Sequence, residues 1–175
     1  MLVSSPPSSD QRLLPEWIFR PSSTTSDVVE LSLPALKTSV ARARRFTADQ
    51  LAAWGMGPEL IDDCTLVVSE LVTNALDELA RSGVTIGDAE SMAQDVVQES
   101  GERHRVVLQV LRAQDAFYAA VWDPGDGKPA TQSQKDGLCS RGRGLVIVDC
   151  LADDSGVFVC PLGGKAVIAG WRWPS

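Results

Sequence analysis

The sequence predicts an α+β fold, a two-layer α/β sandwich with helices on one face of a mixed, mostly antiparallel sheet. Three observations carry this expectation. Apolar residues recur at helical spacing through two adjacent blocks, 35–54 and 58–82. Two pairs of short, strand-like segments flank tight turns at Gln114-Asp115 and Gly163-Gly164. The resulting order, β-α-α-β-β-loop-α-β-β, layers helices on one side of a sheet. A chain of 175 residues, 44% apolar, suffices for one domain with its own core.

Taken in order, residues 1–26 are rich in Ser, Thr and Pro and read as a flexible N-terminal arm. Leu13, Leu14, Trp17, Ile18 and Phe19 form an apolar knot within it. The domain proper is assigned to 27–175. Val28 to Leu33 read as a strand that Pro34 ends. The first helix, 35–54, carries Leu36, Val40, Ala43, Phe46, Leu51 and Trp54 on one face, and Gly55 and Gly57 close it. Pro58 opens the second helix, which runs to about Ser82 and stops at Gly83. Its residues Ile61, Cys64, Val68, Leu71, Ala75 and Leu79 cluster into one apolar arc.

Residues 84–104 are polar and acidic and read as a long loop. Strands follow at Arg105–Ala113 and Ala116–Trp122, then a Gly/Lys/Ser-rich loop over 123–141. A helix begins near Gly144 with Leu145, Ile147, Val148 and Leu151. Strands at Gly156–Pro161 and Lys165–Trp173 complete the chain.

Charge and composition narrow the function. A net charge of −7 argues against nucleic acid or an anionic membrane as the main partner and leaves room for a protein with a basic surface. The opening MLVSSPPSSD lacks the basic and apolar regions of a secretory signal, and no apolar run approaches a membrane span. Cys64, Cys139, Cys150 and Cys160 are widely spaced and accompany a single histidine, so free thiols in a cytoplasmic protein are expected, with Cys64 and Cys150 in the core.

Three segments bear chemistry. Glu70 and Asn74 lie four residues apart on the second helix, so they share a stripe beside the apolar arc. The carboxylate can take a proton, and the amide oxygen can ligate a hard cation such as Mg²⁺. Asp123-Pro124-Gly125-Asp126-Gly127 follows a strand; its carboxylate can accept from a purine amine, and Gly125 and Gly127 let backbone approach a flat ligand. Ser140-Arg141-Gly142-Arg143-Gly144-Leu145 opens a helix. Gly142 and Gly144 free its N–H groups for a phosphate, and Arg141 and Arg143 add positive charge. Each segment alone has an ordinary reading as a solvated helix face, an acidic turn or a plain turn. Together they supply a cation ligand, a base acceptor and a phosphate cradle.

In this combination the chain resembles the Bergerat-fold ATPases shared by histidine kinases, gyrase B, Hsp90 and MutL. Glu70 to Asn74 resembles the N box, Asp123-x-Gly125-x-Gly127 the G1 box, and Gly142-Arg143-Gly144-Leu145 the G2 box. The phrases SVARARRF, LAAWGM, LVVSELVTNAL and GRGLVIVDCLA look most like the small bacterial anti-sigma-factor serine kinases, over about residues 28–173. The resemblance implies ATP bound with Mg²⁺ through Asn74, adenine read by Asp123, and a lid between Asp123 and Gly142. It also implies Glu70 as general base toward a serine of an anti-sigma-factor antagonist protein, with a sigma factor as the alternative partner.

Two departures bear on catalysis. Glu78 stands one turn past Asn74, where the family often has His, and is expected to face the triphosphate's groove. Ala166 stands where the terminal strand often has a Thr that helps hold adenine. Three readings follow: an anti-sigma factor with serine kinase activity, a nucleotide-gated module that sequesters a regulator without phosphotransfer, and a degenerate fold that binds protein alone. A homodimer stays open in all three.

Overall fold

The computed structural model describes residues 27–88, 105–113, 115–125, 143–160 and 163–172. The expected arm over 1–26, most of the loop at 84–104 and the lid segment lie outside the described residues.

Strand β1 (Asp27–Pro34) alternates as its sequence dictates, turning Val29, Leu31 and Leu33 toward the core. Helix α1 (Thr38–Ala53) starts later than its periodicity predicts. Residues 35–37 are tied instead to the chain beyond the second helix: Lys37 N–H donates to the Gly87 carbonyl at 3.1 Å, and Gly87 N–H to that of Ala35 at 3.0 Å. The Ser39 hydroxyl then donates to the Pro34 carbonyl at 2.7 Å. Tertiary pairing thus overrides helical propensity at this end.

Helix α2 (Pro58–Arg81) is bounded as expected, with Pro58 in its first turn. Gly83 adopts φ 92°, while its N–H and that of Val84 bond the Ala80 and Leu79 carbonyls. That pattern is a Schellman cap, and it needs a residue without Cβ at Gly83. Cys64, Val68, Leu71, Ala75 and Leu79 are buried as the arc predicts, but so are Val67, Val72 and Leu76. The wider buried face arises because α2 packs against α1, the third helix and the sheet together.

Strands β2 (Arg105–Arg112) and β3 (Ala116–Asp123) pair through a tight turn in which Ala113 N–H donates to the Ala116 carbonyl at 2.8 Å. Helix α3 (Arg143–Leu151) precedes β4 (Asp154–Val159) and β5 (Lys165–Arg172). The sheet order is β1-β2-β3-β5-β4. Every pairing between these strands is antiparallel. The parallel element is the isolated bridge between Leu36 and Gly87.

Strand parity sorts the sheet into two faces. Val106, Leu108, Val110, Phe117, Ala119, Val121, Ala169 and Trp171 join residues of all three helices in one core. Phe117 and Trp171 stack with centroids 5.0 Å apart, and the Trp171 indole N–H donates to the Leu151 carbonyl at 2.7 Å. The C-terminal end of α3 is thereby pinned to β5. The alternate residues Val107, Trp122, Cys160 and Ala166 form a separate cluster on the face away from the helices. Cys64 and Cys160 are buried, whereas Cys150, expected in the core, is exposed. Val148 is the residue of α3 that enters the core, and Cys150 lies two positions beyond it on a different helix face.

Candidate functional site

The site lies where the ends of β3 and β5 meet the C-terminal half of α2. Register pairs Asp123 with Lys165, and by parity both side chains share the helix-facing side of the sheet with Val121 and Val167. Asp123 is 1% exposed and Lys165 9%. The Lys165 ammonium donates to Asp123 Oδ1 at 3.1 Å, and Gly125 N–H donates to the same oxygen at 3.0 Å. Lys165 Nζ also lies 3.9 Å from Glu78 Oε1, whose other oxygen pairs with Arg81.

Glycine is required twice here. A Cβ on Gly125 would sit 2.7 Å from Asp123 Oδ1 and 2.9 Å from Glu78 Cγ. Gly164 has φ 79°, and a Cβ there would strike the Asp123 carbonyl and come within 2.7 Å of Trp122 Nε1. The Gly163-Gly164 turn thus lets the start of β5 press against the end of β3, which sets Lys165 beside Asp123.

Two carboxylates share one buried cation, and the charges respond accordingly. Burial pushes the Asp123 carboxyl above its ordinary 3.8, and the Glu78 charge adds to that. The Lys165 charge and hydrogen bond and the Gly125 N–H oppose it. Burial likewise raises the Cys160 thiol, partly offset by a hydrogen bond with Trp122, so it sits as a packed residue rather than a nucleophile.

Glu70 and Asn74 are half-buried and lie two turns and one turn, respectively, before Glu78 on the same stripe of α2. Among the described residues neither has a hydrogen bond or ion pair. The α2 backbone here is reinforced by hydroxyl bonds from Ser69 to the Thr65 carbonyl at 2.6 Å and from Thr73 to that of Ser69 at 2.7 Å. Arg143, Gly144 and Leu145 form the first turn of α3, whose N-terminal N–H groups suit an anion. Gly127, Arg141 and Gly142 lie outside the described residues.

Two expectations are corrected. Ala166 is fully buried on the opposite face of the sheet, packed with Val107, Trp122 and Cys160. Successive strand residues alternate faces, so Ala166 cannot stand in for a residue that holds a base beside Asp123; Lys165 and Val167 face that side. Glu78 does not place an unbalanced charge in the groove, because Arg81 and Lys165 both pair with it. Lys165 itself was missed by the sequence reading. Its signal was a lone lysine opening the apolar run KAVIAGW directly after Gly-Gly.

Residues 33–159 match the histidine kinase-like ATPase domain family. Among solved structures, a chain from the SiaB–SiaC complex of Pseudomonas aeruginosa is similar with a TM-score of 0.53 at 12% identity, covering 83% of this chain and 89% of that one. At that identity the likeness is one of fold. No curated protein matches the sequence. With the matched span running from the end of β1 through β4, most of the chain, the chain belongs to the histidine kinase-like ATPase domain family.

Proposed function

We propose that this chain is an ATP-binding regulatory protein, and that it acts as an anti-sigma factor with serine kinase activity toward an antagonist protein. The observation that carries the nucleotide reading is the built base acceptor: a nearly buried Asp123 held by Gly125 and Lys165, with both described bonds on Oδ1 and none on Oδ2 among the described residues. Gly125 lets the backbone close in on that carboxylate, since a Cβ there would lie 2.7 Å from Oδ1. From Glu78 beside this acceptor, Asn74 lies about 6 Å and Glu70 about 12 Å along the helix axis. The stripe therefore runs from base to metal ligand to general base in the order a nucleotide and its acceptor need.

ATP bound here supplies a γ-phosphoryl group whose transfer Mg²⁺ assists by neutralising charge. Asp123 accepts from the adenine amine. Asn74 offers one amide oxygen to the cation. Asn74 would be the protein's ligand to such a cation, which would supply charge neutralisation at the phosphates. The first turn of α3 (Arg143, Gly144, Leu145) holds phosphate through backbone N–H groups, with Arg141 and Gly142 adding to the cradle, while Gly127 serves with Gly125 on the base side. Glu70 removes the proton of the incoming serine hydroxyl.

In this reading residues 27–175 form the ATP-binding domain and 1–26 an arm outside it. The protein is cytoplasmic, and no described helix is long and apolar enough to cross a membrane. Its partners are an antagonist protein and, exclusively of it, a sigma factor.

A second reading, a nucleotide-gated module that sequesters a regulator without phosphotransfer, is favoured by Glu70 having no orienting partner among the described residues. Calorimetry with Mg-ATP, followed by a labelled-ATP transfer assay against candidate antagonist proteins, tests both. Heat with transfer supports the kinase. Heat without transfer to any candidate supports the module. No heat with any adenine nucleotide overturns both.

A further inference from the structure

The Lys165 ammonium has three N–H groups; one donates to Asp123 Oδ1, while Glu78 Oε1 lies at ion-pair distance, 3.9 Å. It sits beside the one carboxylate poised to accept from a base, on the same face of the sheet. The pair therefore presents an acceptor and a donor side by side. The Watson–Crick edge of adenine presents the complement, an exocyclic N–H donor next to the N1 acceptor. We propose that Lys165 is a second base-reading residue: its ammonium donates to the purine N1 while Asp123 accepts from the adjacent amine. This inference rests on the nucleotide-binding reading above.

Three features of the cluster support the assignment. Lys165 is locked by two carboxylates from different elements, so its head group is ordered before any base arrives. Its hydrogen bond and that of Gly125 both fall on Asp123 Oδ1, which leaves Oδ2 for the amine. Gly125 lets all three charged groups gather at one point of the backbone, since a Cβ there would lie 3.5 Å from Lys165 Nζ and clash with Asp123 and Glu78. A neutral donor would give a weaker bond to N1, because charge-assisted hydrogen bonds are about twice as strong as neutral ones.

The test compares calorimetric Kd values for Mg-ADP, 1-deaza-ADP, which replaces N1 by C–H, and purine riboside diphosphate, which lacks the amine. Wild type, Lys165→Met and Lys165→Gln are each titrated, with circular dichroism as the folding control. Wild type should bind 1-deaza-ADP about 10-fold or more weakly than ADP, as expected for loss of a charged hydrogen bond. Lys165→Met should not distinguish the two ligands, whatever its overall affinity, whereas its penalty for the missing amine should persist through Asp123. A lysine serving only as a buried counter-ion would leave wild type indifferent to N1, and that result overturns the proposal while leaving nucleotide binding intact. No binding of ADP by wild type overturns both. If Lys165→Met fails to fold, the wild-type comparison and Lys165→Gln, which keeps a neutral donor and should show an intermediate N1 penalty, decide the matter.

Discussion

The two ends of the α2 groove are built differently. At one end Asp123, Lys165 and Glu78 come from three elements, are largely buried, and are cross-linked by hydrogen bonds and ion pairs around Gly125. At the other, Glu70 and Asn74 are half-buried on a single helix, with no partner among the described residues. A buried charge must find its partners within the fold, or folding leaves it desolvated and unpaired. A half-exposed polar group can wait in water for a ligand. In the proposed reading, the base end is thus organised by the protein, and the chemical end takes its partners from nucleotide, cation and acceptor.

That contrast is most exposed to a substitution at the chemical end. Glu70→Gln should lower phosphotransfer by about 10²–10⁴-fold, the usual cost of losing a general base, while ATP affinity stays within about twofold. Single-turnover transfer and calorimetry on the same variant check it; near-normal turnover refutes the role assigned to Glu70.

Asp123→Asn acts at the base end and should weaken ATP binding by about 10- to 150-fold, the value of about 1.5–3 kcal/mol for a charge-assisted hydrogen bond. Unlike Glu70→Gln, it also removes the main partner of a buried ammonium, so thermal unfolding should show a lower Tm. An unchanged Tm would mean that the base end is no more organised than the other.

Gly125→Ala tests the steric side of the same region. Its methyl would press on Asp123 Oδ1 and Glu78 Cγ, and overpacking of this kind costs about 1–3 kcal/mol. ATP affinity should fall by roughly 5- to 150-fold, whereas Gly83→Ala, whose Cβ would meet nothing within 4 Å but whose φ is positive, should lower stability and spare affinity.

The smallest effect belongs to pH and Glu78. The Asp123 carboxyl titrates above 3.8 in the folded protein. Between the ordinary value and the raised one, the folded state holds a proton that the unfolded chain has released, so this group's contribution to stability declines as pH rises through that window. Binding runs the other way: on acidification the protonated carboxyl stops accepting from the base, and affinity is lost at a higher pH than an unperturbed aspartate would give. Since Glu78 helps raise Asp123, Glu78→Gln should shift that acid limb to lower pH and change neutral-pH affinity by less than about threefold. ATP titrations across pH read both.

Much of this was legible in the residues themselves. Helical spacing and Pro58 with Gly83 located α2 to within a residue or two, because caps and periodicity are local properties of the chain. Glu70 and Asn74 were placed on one stripe for the same reason, and Asp123 was placed at a strand end by the glycines after it. The start of α1 was misplaced because its first residues pair with Gly87, fifty positions on. Which face of the sheet Ala166 occupies, by contrast, can be read only once the strand's register is known.

What the sequence determined by itself, then, is the set of elements, their order and the residue types able to bind a base, a cation and a phosphate. These follow from periodicity, backbone freedom and side-chain chemistry within short windows. Only the tertiary structure decided that Lys165 meets Asp123, that Glu78 is neutralised by Arg81 and Lys165, and that Ala166 lies behind the sheet. Each of these depends on the register across β3 and β5 and on how deeply α2 settles against them, quantities set by long-range pairing and packing that no local window of sequence contains.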